Sequence, residues 1–312
     1  MRHRAMFWIM RTVAPMAAVM ALAGGVGAAQ PLRVVATLSV FADLVKQVGG
    51  DDVQVSFVAS PRFNPHFIEP KPSDVLKVKR ADLLVDAGLD LEAWRGPLLD
   101  AAGNPNLFPG SQGELDLSVG IPLLEVPDRP LSRLMGDIHI YGNPHYWLSP
   151  ENAKIMARAI AAKLAEMDPA HAAAYQKRLA DFLRRLDQQI AQWQQTAASI
   201  RGKEAVAYHN EWPYLAEFLG IKINQFLEPK PGIPPGPQQL GMLEAYMKTH
   251  GVRVIVQPTY VPRGAAEALA RRTGATVVIL CQNLGELPQA KDYFAFIDYN
   301  VQQLVHAMES SS

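Results

Sequence analysis

A long amphipathic helix in the middle of the chain is the feature that most constrains its fold. Asp168-Pro169 is typical of a helix start, and large apolar residues then recur at every third or fourth position. These apolar residues are Tyr175, Leu179, Phe182, Leu186, Ile190 and Trp193. The spacing predicts a linking helix within residues 168–201, with roughly 30 helical residues and a length of about 45 Å. Such a helix is too long for a crossover within one sheet, and it predicts a rigid connection between two lobes.

Short apolar runs alternate with helical patterns on both sides of the linking helix. Before it, the pattern predicts strands over 32–38, 53–59 and 81–87, and helices over 40–48, 73–80 and 151–167. After it, the pattern predicts strands over 204–208, 252–257 and 276–280, and helices over 212–218, 238–250, 264–272 and near 298–308. This alternation is typical of βαβ units. We therefore predict an α/β fold with two lobes, each a mainly parallel sheet flanked by helices, over residues 30–167 and 202–312.

The two predicted lobes begin with similar segments. VVATLSVFADLVKQVGG, which starts at Val34, aligns without a gap with AVAYHNEWPYLAEFLGI, which starts at Ala205. In this alignment Val35 matches Val206 and Ala36 matches Ala207. The similarity indicates that each lobe opens with the same strand–turn–helix unit.

The first 29 residues have the pattern of a secretory signal peptide. Arg2, Arg4 and Arg11 precede an apolar run over 13–26, and small residues follow it at 27–29. The run is shorter than the roughly 20 apolar residues that a membrane-spanning helix needs. We expect a protein that is exported to the periplasm.

Charge and cysteine content narrow the function classes. Without residues 1–29 the chain holds 27 basic and 30 acidic residues, a net charge of −3. No run of Lys or Arg is present, so we expect no nucleic-acid partner. Cys281 is the only cysteine, so the fold has no internal disulfide and depends on a buried core. We expect a monomer.

Three histidines share one position in the predicted topology. His66 follows the second strand, His145 lies in the loop before the helix over 151–167, and His209 follows the first strand of the second lobe. Ligands bind at the carboxyl ends of strands in open parallel sheets, so facing lobes can bring these residues together. A single histidine of this kind is often only a hydrogen-bonded loop residue. Three that converge are better explained as ligands of one divalent cation.

Three segments resemble the zinc/manganese ABC-transporter substrate-binding proteins, the group with a rigid linking helix. They are NPHFIEPKPSDVLKVKRADLLVDAGLDLEAW, GNPHYWLSPENAKIMARAIAAKLAEMDP, and YHNEWPYLAEFLGI followed by LEPKPGIPP. The resemblance covers nearly all of the chain after the signal peptide. It implies a periplasmic receptor, not an enzyme, that captures a metal ion between two lobes and delivers it to an ABC permease.

The resemblance also implies a ligand set. His66, His145 and His209 fall on the first three ligand positions of the family. Histidine at the third position indicates Zn²⁺, whereas Mn²⁺, the alternative, is commonly bound there by a carboxylate. Many members carry Asp at the fourth position, but this sequence has Cys281. The fourth ligand therefore stays open between Cys281, Glu211 and water, and the role of His139, six residues before His145, also stays open.

Two other functions are compatible with parts of this pattern. Three histidines around zinc can leave a position for activated water, as in a zinc hydrolase. The sequence contains no HExxH motif and no clear general base beside a candidate ligand, which argues against this alternative. A receptor for an iron chelate or cobalamin would share the two-lobe architecture, but it would need no converging histidines.

Overall fold

The chain forms two four-stranded sheets in the computed structural model, which describes residues 30–128, 139–230 and 232–310. Each strand pairs in parallel with its neighbours, and helices flank both sheets. The predicted signal peptide over 1–29 lies outside the described residues. The architecture confirms the predicted α/β fold with two lobes.

The described part of the N-terminal lobe contains one sheet and four α-helices. Its strands are β1 (Leu32–Ala36), β2 (Val53–Phe57), β3 (Leu83–Asp86) and β4 (Glu114–Asp116). Its helices are α1 (Ser39–Gly49), α2 (Pro72–Arg80), α3 (Arg95–Ala102) and α4 (Pro150–Met167). The strand order is β2-β1-β3-β4. The sequence did not predict β4, which has only three half-buried residues, or α3, whose Gly96 and Pro97 are poor helix formers.

The linking helix is α5 (Ala172–Thr196), with 25 residues. All six residues of the predicted apolar stripe are buried in it. The helix is shorter than predicted because the chain forms 3₁₀ turns on either side, over Pro169–His171 and Ala197–Ile200. Asp168 does not cap the helix as the sequence suggested. Its carboxylate instead accepts a hydrogen bond from the hydroxyl of Tyr175 at 2.7 Å.

The C-terminal lobe repeats the arrangement of the first. Its strands are β5 (Glu204–Ala207), β6 (Lys222–Phe226), β7 (Val254–Pro258) and β8 (Thr276–Leu280). Its helices are α6 (Pro213–Leu219), α7 (Pro237–His250), α8 (Gly264–Thr273) and α9 (Tyr293–Ser310). The strand order β6-β5-β7-β8 places β5 where β1 lies in the first sheet, as the alignment of the two opening segments indicated.

The two lobes are joined by continuous packing. The linking helix α5 contacts α1 and α4 of the N-terminal lobe and α9 of the C-terminal lobe. One apolar cluster includes Val35 of β1 and Val256 of β7. Across the interface, the indole nitrogen of Trp147 donates to the carbonyl of Gln282 at 2.8 Å. This packing favours small displacements of loops over wide opening of the lobes.

Candidate metal centre

His66 lies in a short 3₁₀ turn, Pro65–Phe67, between β2 and α2. The side chain of Asn64 accepts a hydrogen bond from the backbone N–H of His66 at 2.9 Å, which starts the turn. The indole nitrogen of Trp94 donates to the carbonyl of Pro65 at 2.8 Å. These two contacts fix the backbone on which the buried imidazole of His66 is held.

His145 immediately precedes a 3₁₀ turn, Tyr146–Leu148, that leads into α4. Gly142 opens this segment with φ +118°, and a Cβ there would lie 3.2 Å from the carbonyl oxygen of Leu124. Only glycine fits such a backbone without strain. The hydroxyl of Tyr146 then donates to the carbonyl of Ala87 at 2.8 Å, and His145 is fully buried.

His209 is the only one of the three predicted ligands that belongs to the C-terminal lobe. It follows β5 by two residues and is also buried. Its Nδ1 lies 2.9 Å from Oε2 of Glu228, which follows β6. The carboxylate therefore fixes the orientation of the ring from within its own lobe.

The structure brings the three predicted residues together with a fourth, His139. One ring nitrogen of each lies within 4.8 Å of the corresponding nitrogens of the other three. His66 Nε2 and His145 Nε2 are 3.2 Å apart, and the ring centres of His139 and His66 are 5.2 Å apart. We refer to these residues as the four-histidine cluster. In the sequence, His139 lies only six residues before His145. This proximity pointed to His139, but it did not show whether the residue is a ligand or assists metal entry.

Neither of the other candidates for the fourth position belongs to the cluster among the described residues. Burial raises the pKa of the Cys281 thiol to about 12, so it is a poor source of the thiolate that zinc binds. Burial, reinforced by the charges of Glu286 and Glu228, raises the pKa of Glu211 well above its usual range. A protonated carboxyl group is likewise a poor metal ligand.

Hydrogen bonds at Nδ1 of His145 and of His209 determine which ring nitrogen of each residue is free to bind a metal. The side-chain oxygen of Asn143 lies 3.0 Å from His145 Nδ1, and it can only accept a hydrogen bond. His145 Nδ1 therefore carries the proton, and Nε2 offers a lone pair. The carboxylate of Glu228 can also only accept, so in a neutral His209 the proton is on Nδ1 and Nε2 offers the lone pair. Such partners are typical of metal-binding histidines.

The environment keeps the imidazoles of His66, His139 and His145 uncharged. Burial, followed by the charges of neighbouring histidines, lowers the pKa of His66 and of His145 well below the usual value for histidine. Burial and the charge of His209 lower the pKa of His139 to about 3. Neutral imidazole is the form that binds metal, so an arriving cation displaces no protons from these three residues at neutral pH.

The geometry suits one tetrahedral cation. Zinc–nitrogen bonds of about 2.0–2.1 Å place the ligand nitrogens of a tetrahedral site about 3.3 Å apart. The separation between His66 and His145 already has this value, and closing the other pairs needs shifts on the order of 1 Å. His139 Nε2 and His209 Nε2 are buried without a hydrogen-bond partner in the part of the chain that the structure describes. A cation would satisfy both.

Comparison with known proteins shows which family the chain resembles. The family described as "Zinc-uptake complex component A periplasmic" matches residues 34–307. The chain is 27% identical over 252 residues to the high-affinity zinc uptake system protein ZnuA of Bacillus subtilis (strain 168), covering 80% of this chain and 77% of that protein. It is 25% identical over 291 residues to the manganese ABC transporter substrate-binding lipoprotein PsaA of Streptococcus anginosus, covering 89% and 90%.

Solved structures give the same result for the fold. The structure described as "Crystal structure of ZnuA" superposes with a TM-score of 0.76 at 25% sequence identity. The match covers 89% of this chain and 100% of that chain. The two-lobe architecture is therefore shared over nearly the whole described structure.

Proposed function

The chain belongs to the family of periplasmic zinc-uptake component A proteins, and on this premise we propose that it captures Zn²⁺ and delivers it to an ABC permease. The ion is cargo, bound between the lobes and then released. The family is one of substrate-binding transport proteins, and its described location is the periplasm. Within residues 30–128, 139–230 and 232–310, every helix is too short or too polar to span a bilayer.

The four-histidine cluster is the observation that carries this proposal. It supplies four imidazole nitrogen ligands from both lobes, within 4.8 Å of one another. Four protein ligands fill a tetrahedral shell. A catalytic zinc site keeps one position open for water, so a filled shell supports binding and transport over hydrolysis.

Zinc is the ion that this ligand set favours. Imidazole nitrogen suits Zn²⁺, whereas Mn²⁺ prefers carboxylate, carbonyl and water oxygens. None of the four residues of the cluster is a carboxylate. The relative from Streptococcus anginosus is described as a manganese protein, so we include Mn²⁺ as the competing ion in the experiment below.

A chelator competition tests the proposal. The purified protein, stripped of metal, is titrated with Zn²⁺ and with Mn²⁺ in the presence of a chromophoric chelator, and elemental analysis gives the stoichiometry. We expect one zinc ion per chain and weaker Mn²⁺ binding. His250→Ala is the matched control, because His250 is exposed at the end of α7 and bonds to the carbonyl of Tyr246. The proposal fails if the protein takes up no zinc, or if His145→Ala binds zinc as tightly as His250→Ala.

A further inference from the structure

Glu125 links the two lobes beside the four-histidine cluster. Its Oε2 accepts a hydrogen bond from Asn143 Nδ2 at 3.0 Å and another from Asn210 Nδ2 at 2.7 Å. Asn143 lies in the N-terminal lobe, two residues before His145, and Asn210 lies in the C-terminal lobe, next to His209. One carboxylate oxygen therefore joins the segments that carry two candidate ligands from opposite lobes.

Each asparagine is tied directly to its histidine segment. Asn143 Oδ1 accepts from both the backbone N–H of His145 at 3.1 Å and His145 Nδ1 at 3.0 Å. Asn143 Nδ2 also donates to the carbonyl of Asn210 at 3.0 Å. A displacement of Glu125 would therefore shift the His145 ring relative to the backbone beside His209.

The backbone of Glu125 is held in place for this contact. It adopts φ +54°, a left-handed conformation that is uncommon for a residue other than glycine and costs free energy. The flanking backbone is anchored: Leu124 N–H donates to the hydroxyl of Tyr214 at 3.0 Å, and that hydroxyl donates to the carbonyl of Asn143 at 2.9 Å. Tyr214 belongs to α6, so these bonds also cross between the lobes.

We propose that Glu125 is a positioning residue that holds His145 and His209 at the separation one ion requires, through Asn143 and Asn210. This inference rests on the proposed function. Glu125 is exposed, whereas the histidines it positions are buried. The contact can therefore be loosened from the surface without exposing the apolar core, and loosening it speeds release of the ion.

A comparison of Glu125→Ala with Glu125→Gln separates the effect of the two hydrogen bonds from the effect of the negative charge. Glutamine keeps an oxygen that can accept from both asparagine amides but removes the negative charge. We expect Glu125→Ala to weaken zinc binding by about tenfold, the lower end of the effect of removing a partner that orients a metal ligand. The loss should appear as faster transfer of zinc to a chelator in stopped flow. Glu125→Gln should retain most of the wild-type affinity.

Three further variants and one spectrum separate the positioning role from a general structural effect. Glu217→Gln, which changes an exposed carboxylate on α6, is the matched charge control. Asn210→Ala removes the same contact from the other lobe, so it should reproduce the loss, and the double variant with Glu125→Ala should lose no more than either single change. The visible spectrum of the Co²⁺-loaded protein should show a less regular tetrahedral site in Glu125→Ala, whereas Glu125→Gln should resemble the wild type.

The outcomes distinguish this inference from the proposed function. A wild type that binds no zinc refutes the proposed function, and this inference is refuted with it. A wild type that binds zinc, with Glu125→Ala unchanged in affinity, release rate and Co²⁺ spectrum, refutes the positioning role alone. Equal losses in Glu125→Ala and Glu125→Gln would show that the charge matters and the hydrogen bonds do not, which also refutes it.

Discussion

His66 Nε2 and His145 Nε2 lie 3.2 Å apart, although 79 residues separate the two histidines in the chain. Both imidazoles are buried, and burial together with the charges of neighbouring histidines lowers the pKa of each and opposes its protonation. A shared cation removes this conflict, since each ring then donates a lone pair to it.

His139→Ala should weaken zinc binding about as much as His145→Ala does. A zinc site with four protein ligands binds with about 10–16 kcal/mol, so each ligand accounts for about 3 kcal/mol, or about 100-fold in affinity. X-ray absorption should count four nitrogen ligands in the wild type and three in each variant. Wild-type affinity in His139→Ala would instead indicate that His66, His145 and His209 suffice.

The sequence predicted more of the lobes than of the site. Strands such as β1 and β8 were predictable because they are apolar runs bounded by turns, and α5 because its apolar stripe recurs at every third or fourth position from Tyr175 to Trp193. The strands β4 and β6 were missed, since β4 has only three residues and polar side chains interrupt the apolar run in both. The place of His139 in the cluster depends on how the lobes fold around it. The hydrophobic periodicity of the sequence holds no information on this.

The metal-free protein should lose stability as the pH falls below the usual range of histidine pKa values. The pKa of His139 is lowered from 6.5 to about 3, so between these values the unfolded chain binds a proton that the folded protein does not. Acidification through this window therefore favours unfolding. Urea denaturation at pH 7 and pH 5, with a chelator present, should show a smaller loss for His139→Gln than for the wild type. An equal loss in both would contradict the lowered pKa.

Glu92 should produce a pH dependence of the opposite sign. Burial, with the nearby charge of Asp86, raises the pKa of Glu92 from 4.5 to about 8. Its Oε1 accepts hydrogen bonds from Thr37 Oγ1 at 2.6 Å and from the backbone N–H of Ala87 at 3.0 Å. Between pH 4.5 and about 8 the folded protein holds a proton that the unfolded chain has lost, so stability falls as the pH rises.

Glu92→Gln tests this effect, since glutamine keeps the accepting oxygen and cannot ionise. Each pH unit within the window costs the wild type up to about 1.4 kcal/mol. The variant should therefore gain stability relative to the wild type between pH 5 and pH 8, as measured by urea unfolding. Glu69→Gln, a change to an exposed carboxylate in the loop before α2, serves as the control and should follow the wild type. Parallel pH profiles for Glu92→Gln and the wild type would contradict the prediction.

Replacement of one ligand together with its hydrogen-bond partner should shift the preference of the site from zinc towards manganese. His209→Glu replaces an imidazole by the carboxylate that Mn²⁺ prefers. On its own this change places a second carboxylate beside Glu228, whose Oε2 lies 2.9 Å from His209 Nδ1 in the wild type. The two like charges would repel in a buried site, so His209→Glu alone should bind both ions poorly.

His209→Glu combined with Glu228→Gln removes the repulsion and lets the glutamine amide donate to the new carboxylate. We expect the double variant to bind Mn²⁺ more tightly, relative to Zn²⁺, than the wild type does, in parallel chelator competitions. Glu228→Gln alone is the control, and it should keep the wild-type preference for zinc. An unchanged ratio of the two affinities in the double variant would mean that the identity of the residue at position 209 does not set the choice of ion.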